Sequence, residues 1–137
     1  MTDNSKTIYL AAAYSRRLEM YNYAVLLEGQ GHRVNAEWVV GHDIPKGASE
    51  TEADRMRAEF ALADWQDIAN SQLLVCFTGN DKRKRGGRHV EFGLGLNNCD
   101  QCVVVGPREN VFHYLPCVKQ FDTFEEFFVW LNEDVES

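Results

Sequence analysis

"QLLVCF", residues Gln72 to Phe77, decides how the rest of the chain is read. After its leading glutamine, five apolar side chains follow one another with no polar alternation. A strand can lack a polar face only where both sides of its sheet are covered, and such strands belong to parallel sheets. Parallel neighbours cannot be joined by a tight turn and need crossover connections, usually helices. The segments on either side must therefore alternate between strand and helix.

They do. "TIYLAAA" (Thr7 to Ala13) predicts a first strand. Ser15 to Gln30 predicts a helix, with Leu18, Tyr21, Val25 and Leu26 close to helical spacing and Gly29 and Gly31 at its end. "HRVNAEWVV" (His32 to Val40) predicts a second strand, followed by a polar loop through Gly41, Pro45 and Gly47. A long helix follows from Thr51 to Ser71, with Ser49 or Thr51 as its N-cap and acidic residues in its first turn. Beyond "QLLVCF" come a helix from about Arg88 to Asn98, a strand "CVVVG" (Cys102 to Gly106) and a strand "CVKQF" (Cys117 to Phe121). In the final helix Phe124, Phe127, Phe128 and Leu131 fall at i, i+3, i+4 and i+7, a core-facing stripe. The expected fold is α/β: one doubly wound, five-stranded, mainly parallel sheet in a flavodoxin- or Rossmann-like three-layer sandwich spanning residues 1–137 as one domain.

A chain of 137 residues buries roughly two-thirds of its unfolded surface and folds without a staple. Its net charge of -7 opposes binding to a nucleic-acid polymer, since phosphate neutralisation supplies most of that affinity. No long apolar run and no charged-then-apolar N-terminus suggest a membrane span or signal peptide, so a cytoplasmic location is expected. Cys99 and Cys102 have C-x-x-C spacing, yet no second close pair exists and Cys76 lies inside a strand. Together with histidines that share no ligand spacing, this argues against a metal site, and the cysteines read as reduced.

Ligands of open α/β sheets gather beyond the carboxyl ends of the strands, here the loops at 13–17, 40–49, 78–88 and 106–113. Asp64 stands out because Met56, Phe60, Asp64 and Ile68 are spaced by four, which puts a carboxylate inside an apolar stripe. It must find a ligand or pair with a nearby arginine. Glu91 is expected in the first turn of a helix opened by Gly86 and Gly87, where backbone N–H groups would keep it ionised. Such a carboxylate suits nucleophilic attack or stabilisation of a cation, or serves the helix dipole alone. Gly95 follows one turn on, where a ligand or a strand approaches closely. Lys82, Arg83, Lys84, Arg85 and Arg88 crowd the glycines and form either an anion grip or a solvated loop. Tyr9 and Tyr14 flank the end of the first strand, Trp38 and His42 that of the second; they stack on a base or pack in the core. "GGRHVE" matches neither the dinucleotide nor the phosphate-loop glycine pattern, and no serine elbow is present.

"IYLAAAYS", "ADWQDIANSQLLVCF", "GGRHVEFGLGL" and "GPRENVFHYL" together resemble the nucleoside 2-deoxyribosyltransferase family, including its relatives that hydrolyse nucleoside 5'-monophosphates. The most specific part is Gly87, Glu91 and Gly93, which match the setting of that family's nucleophile. The resemblance implies Glu91 as nucleophile, Asp64 as the carboxylate working beside it and Tyr9 as the tyrosine near the sugar. Ser15, Arg16, Trp38, Asp67, Gly87 and Arg88 are the implied substrate contacts. Asn110 matches an asparagine that transferases lend to a neighbouring subunit's site, so a homo-oligomer, at least a dimer, is implied. No cofactor is implied; the partners are a nucleoside or nucleotide and an acceptor base. Asn110 favours transfer, whereas the basic loop with Arg16 and Arg17 suits a 5'-phosphate and so the monophosphate N-glycosidases. A non-catalytic nucleotide-binding module is the rival reading.

Overall fold

The computed structural model describes residues 5–79 and 86–133; Lys82, Arg83, Lys84 and Arg85 of the basic loop lie outside them. Five strands, β1 (Thr7–Ala11), β2 (Arg33–Val34), β3 (Leu73–Phe77), β4 (Gln101–Val105) and β5 (Lys119–Phe121), form one sheet. Its order is β2-β1-β3-β4-β5, and each neighbouring pair is parallel. Helices α1 (Arg17–Gly29), α2 (Glu50–Ala69), α3 (Gly87–Asn98) and α4 (Phe124–Glu133) make the crossovers and the closing element. All five side chains of β3 are buried, as its unbroken apolar run requires. Strand order reverses direction at β1 and β3, the place where an open α/β sheet leaves a crevice.

Local chemistry places the helices. Ser49 caps α2 by accepting from the Glu52 N–H at 3.1 Å, and its hydroxyl donates to Glu52 Oε1 at 3.3 Å. In α4, Phe124, Phe127 and Leu131 are buried, with Phe128 half-buried beside them. Tyr23 of α1 stacks on Phe124 at 4.0 Å and on Phe77 at 5.3 Å, joining that face of the sheet to two helices.

Two expectations change. The apolar spacing in α1 correctly marks a helix, but its buried face is Met20, Ala24 and Leu27, while Leu18, Tyr21, Val25 and Leu26 are exposed. Small Ala24 and the Tyr23 stack select the face, because they let the helix approach the sheet closely. The second strand is two residues long, and Glu37–Val40 is a 3-10 turn. The Asn35 N–H still donates to the Ile8 carbonyl at 2.8 Å, and beyond it the segment leaves the ladder. The Trp38 indole N–H donates to the Leu10 carbonyl at 2.8 Å, and the Glu37 N–H donates to the Asp67 carboxylate at 2.9 Å. The segment therefore curls over the end of β1. At Gly95 the sequence left ligand or strand open; the structure shows strands, since a Cβ there would lie 2.7 Å from Leu74 Cδ1 and 3.1 Å from Cys102 Sγ.

Candidate active site

At the crevice, four segments enclose a cavity of about 440 Å³. The turn after β1 supplies Ala12, Ala13, Tyr14 and Ser15, and the following turn Trp38 and His42. Asp64 enters from α2, and Gly87, Arg88 and Glu91 from the start of α3. The volume lies in the range of small-molecule sites.

Tyr9 is completely buried on β1 beneath this cavity. Its hydroxyl donates to Glu91 Oε2 at 2.5 Å. Burial, reinforced by the Glu91 and Asp64 charges, pushes the Tyr9 pKa far above its ordinary value, so it stays a donor. Glu91 is the fifth residue of α3 rather than in its first turn, beyond the reach of the free N–H groups at the helix start. The expected hold of helix-start N–H groups on its charge is therefore not what surrounds it. Burial pushes its pKa up to about 7, the Tyr9 hydrogen bond opposing and the Asp64 charge adding to the rise.

Asp64 finds no arginine among the described residues. Its Oδ1 is out of contact with solvent and without a hydrogen-bond partner, the nearest basic group being His42 Nε2 at 3.7 Å. Burial raises its pKa to about 7, with the Asp67 and Glu37 charges adding. Two carboxyl groups of one cavity thus hold a proton near neutrality. The Tyr9 hydroxyl favours the ionised form of Glu91, whereas nothing comparable favours that of Asp64. The pair therefore titrates near neutrality, with Glu91 the better placed of the two to ionise.

Arg88 is buried, and its Nη2 donates to Glu109 Oε1 at 3.0 Å. Glu109 also accepts from the Gly79 N–H at 3.1 Å and lies 3.5 Å from His89 Nε2. Sequence reasoning missed Glu109; its only signal was a place in the loop after β4, on the ligand side of the sheet.

Of the residues singled out from sequence, Ser15, Trp38, Asp64, Gly87, Arg88 and Glu91 line the cavity, with Tyr9 joined to it through Glu91. Arg16, Asp67 and Asn110 do not line it. Arg16 grips Glu19 at 2.7 Å and the Thr78 carbonyl at 3.2 Å, bracing the end of β3. Asp67 lines a second hollow beside α1 and holds the 3-10 turn. Asn110 accepts from the Phe112 N–H at 2.9 Å, and its amide nitrogen lies 3.3 Å from His89 Nδ1. Among the described residues no group of three or more His, Cys, Asp or Glu side chains could hold a metal ion, and no helix is long and apolar enough to cross a membrane.

No protein-family model matches the chain, and no curated protein matches it in sequence. Solved structures do. A 2-deoxyribosyltransferase from Bacillus psychrosaccharolyticus is similar with a TM-score of 0.64 and 14% identity, covering 91% of this chain and 95% of that one. The CMP N-glycosidase BcmB of Clostridium botulinum gives 0.56 and 17%, covering 93% and 99%. A 2-deoxyribosyltransferase from Leishmania mexicana gives 0.57 and 17%, covering 95% and 99%. The likeness establishes the fold: over nearly its whole length the chain is built as the deoxyribosyltransferases and the CMP N-glycosidase are built.

Proposed function

We propose that the chain is an enzyme that cleaves the N-glycosidic bond of a deoxynucleoside or nucleotide and transfers the sugar to a second base. The observation that carries this reading is the carboxyl pair, Glu91 held by Tyr9 with Asp64 beside it, in one cavity at the β1/β3 crevice. Breaking an N-glycosidic bond builds positive charge on the sugar and negative charge on the departing base. An anion and a proton donor must therefore meet the two ends of the same bond.

With Tyr9 occupying Oε2, Glu91 Oε1 attacks C1'. The C1'–N bond breaks, its electron pair stays on the base nitrogen, and Asp64 gives that base its proton. A glycosyl ester on Glu91 remains. A second base attacks C1', returns a proton to Asp64 and expels the Glu91 carboxylate, restoring both groups. Trp38 has spent its indole N–H on Leu10, so it offers the cavity an apolar face suited to a base. Asn110 belongs to a partner subunit's site in this reading, with the exposed Val111, Phe112 and Tyr114 beside it as the subunit contact.

A second reading is hydrolysis of a 5'-monophosphate, with water as acceptor. It is favoured by Arg88, a cation in the cavity wall, and by the likeness to a CMP N-glycosidase. Incubation with deoxynucleosides and their 5'-monophosphates, with and without a free acceptor base, separates the readings by chromatography. New nucleoside marks transfer; free base with sugar or sugar phosphate alone marks hydrolysis. Absence of base release from every substrate contradicts both.

A further inference from the structure

His42 enters the cavity just after the 3-10 turn and is held from two sides. Its ring lies flat on Phe60 of α2, with centroids 4.2 Å apart and planes 2° from parallel. Its backbone N–H donates to Tyr14 Oη at 2.8 Å, and that hydroxyl donates onward to Asp43 Oδ1 at 3.2 Å. The stack fixes the ring plane and the backbone bond fixes its height. So held, Nε2 faces Asp64 Oδ1 at 3.7 Å, across a gap about 0.8 Å longer than a hydrogen bond. That oxygen has no other partner among the described residues and no solvent. A buried acceptor left so is unusual, and the nearest basic side chain to it among the described residues is His42.

Resting on the assignment of Asp64 as the acid for the departing base, we propose that His42 is a positioning residue that decides which oxygen of Asp64 carries the catalytic proton. When substrate closes the cavity, Nε2–H donates to Oδ1 and confines the acidic proton to Oδ2. As the C1'–N bond breaks, the proton leaves Oδ2 for the base nitrogen, and the charge left on the carboxylate is met at Oδ1. In the second half-reaction the acceptor returns a proton to Oδ2. His42 keeps its own proton throughout, so no further donor is required.

The role needs a neutral ring protonated on Nε2. Burial lowers the His42 pKa, against Glu37 of the 3-10 turn, Asp67 of α2 and neighbouring Asp43, which raise it. The ring is neutral above that pKa; below it the imidazolium still carries Nε2–H but favours the Asp64 anion and so draws off the acidic proton, which leaves the contribution to neutral and higher pH.

Two variants test this. His42→Phe keeps a ring on Phe60 and removes the donor; His42→Gln removes the ring and supplies an amide donor. Both are compared with wild type on the best substrate and on an analogue whose base carries an electron-withdrawing group and leaves with less help. The expected result is a fall in kcat of about 10- to 100-fold for His42→Phe, the worth of a hydrogen bond to a charged group, with KM little changed. The loss is smaller on the electron-poor base, and His42→Gln recovers part of it. Unchanged kcat, equal loss on both bases, or a change in KM alone overturns the proposal. Imidazole NMR gives a readout independent of turnover: the neutral His42 ring should carry its proton on Nε2, and a ring protonated on Nδ1 overturns the proposal. Wild-type inactivity on every substrate overturns the glycosyl-transfer reading and this role with it. An active wild type matched by His42→Phe overturns this role alone.

Discussion

Replacing Glu91 with glutamine separates what this carboxyl does for catalysis from what it does to stability. In the folded chain its pKa rises from 4.5 to about 7, chiefly through burial. A carboxyl moved that far is destabilised in its ionised form by about 3 kcal/mol. Because the folded value is the higher one, the contribution to stability is fully present below pH 4.5 and is lost as pH rises through about 7. Glutamine keeps an acceptor for Tyr9 and never ionises. The stability of Glu91→Gln relative to wild type should therefore grow by about 3 kcal/mol between pH 4 and pH 8.5, roughly 10 °C in Tm for a domain of this size. Removing the Glu91 charge also eases ionisation of Asp64, which acts in the same direction. Calorimetric melts of both proteins at the two pH values and constant ionic strength read the difference. A gap that stays constant would refute the reasoning, since it would mean that Glu91 titrates as though exposed.

The remaining predictions are simpler perturbations of the same frame. Tyr9→Phe removes the one contact that lowers the Glu91 pKa, so the acidic limb of the rate profile for base release should move to higher pH and the rate at pH 7 should fall. An unmoved limb counts against Tyr9 as the partner. Gly95→Ala drives a methyl into Leu74 and Cys102 and should cost about 1–3 kcal/mol, whereas Gly93→Ala, with nothing within 4 Å, should cost nothing; thermal melts compare them. Phe112→Asp places a charge in the exposed apolar face beside Asn110 and should lower the mass measured by light scattering to that of a monomer while sparing the fold. An unchanged mass removes that face as the subunit contact.

Much of the fold was legible because it follows from patterns that tertiary contacts do not overrule. The apolar run of β3, the α4 stripe and the Ser49 cap each satisfy a local requirement that the finished structure keeps. The buried face of α1 was not legible, because a partly buried aromatic, Tyr23, and a small Ala24 outweigh the larger apolar residues left outside. The brevity of β2 was hidden because Trp38 and Asp67 draw the backbone away only once β1 and α2 are in place. At the site, Asp64, out of place in an apolar stripe, lines the cavity with Oδ1 unpartnered. The surroundings of Glu91 were misjudged, since dipole reasoning sees the helix and not the burial around it. His42 was noticed only as an aromatic; its approach to Asp64 depends on the turn that the sequence pattern presented as strand.

The most direct measurement is intact-protein and peptide mass spectrometry after rapid quenching of the protein with its substrate. A sugar adduct carried by the peptide containing Glu91, absent in Glu91→Gln and discharged by an acceptor base, is the predicted result. Base release with no adduct on that peptide, or an adduct that persists in Glu91→Gln, would contradict a glutamyl intermediate.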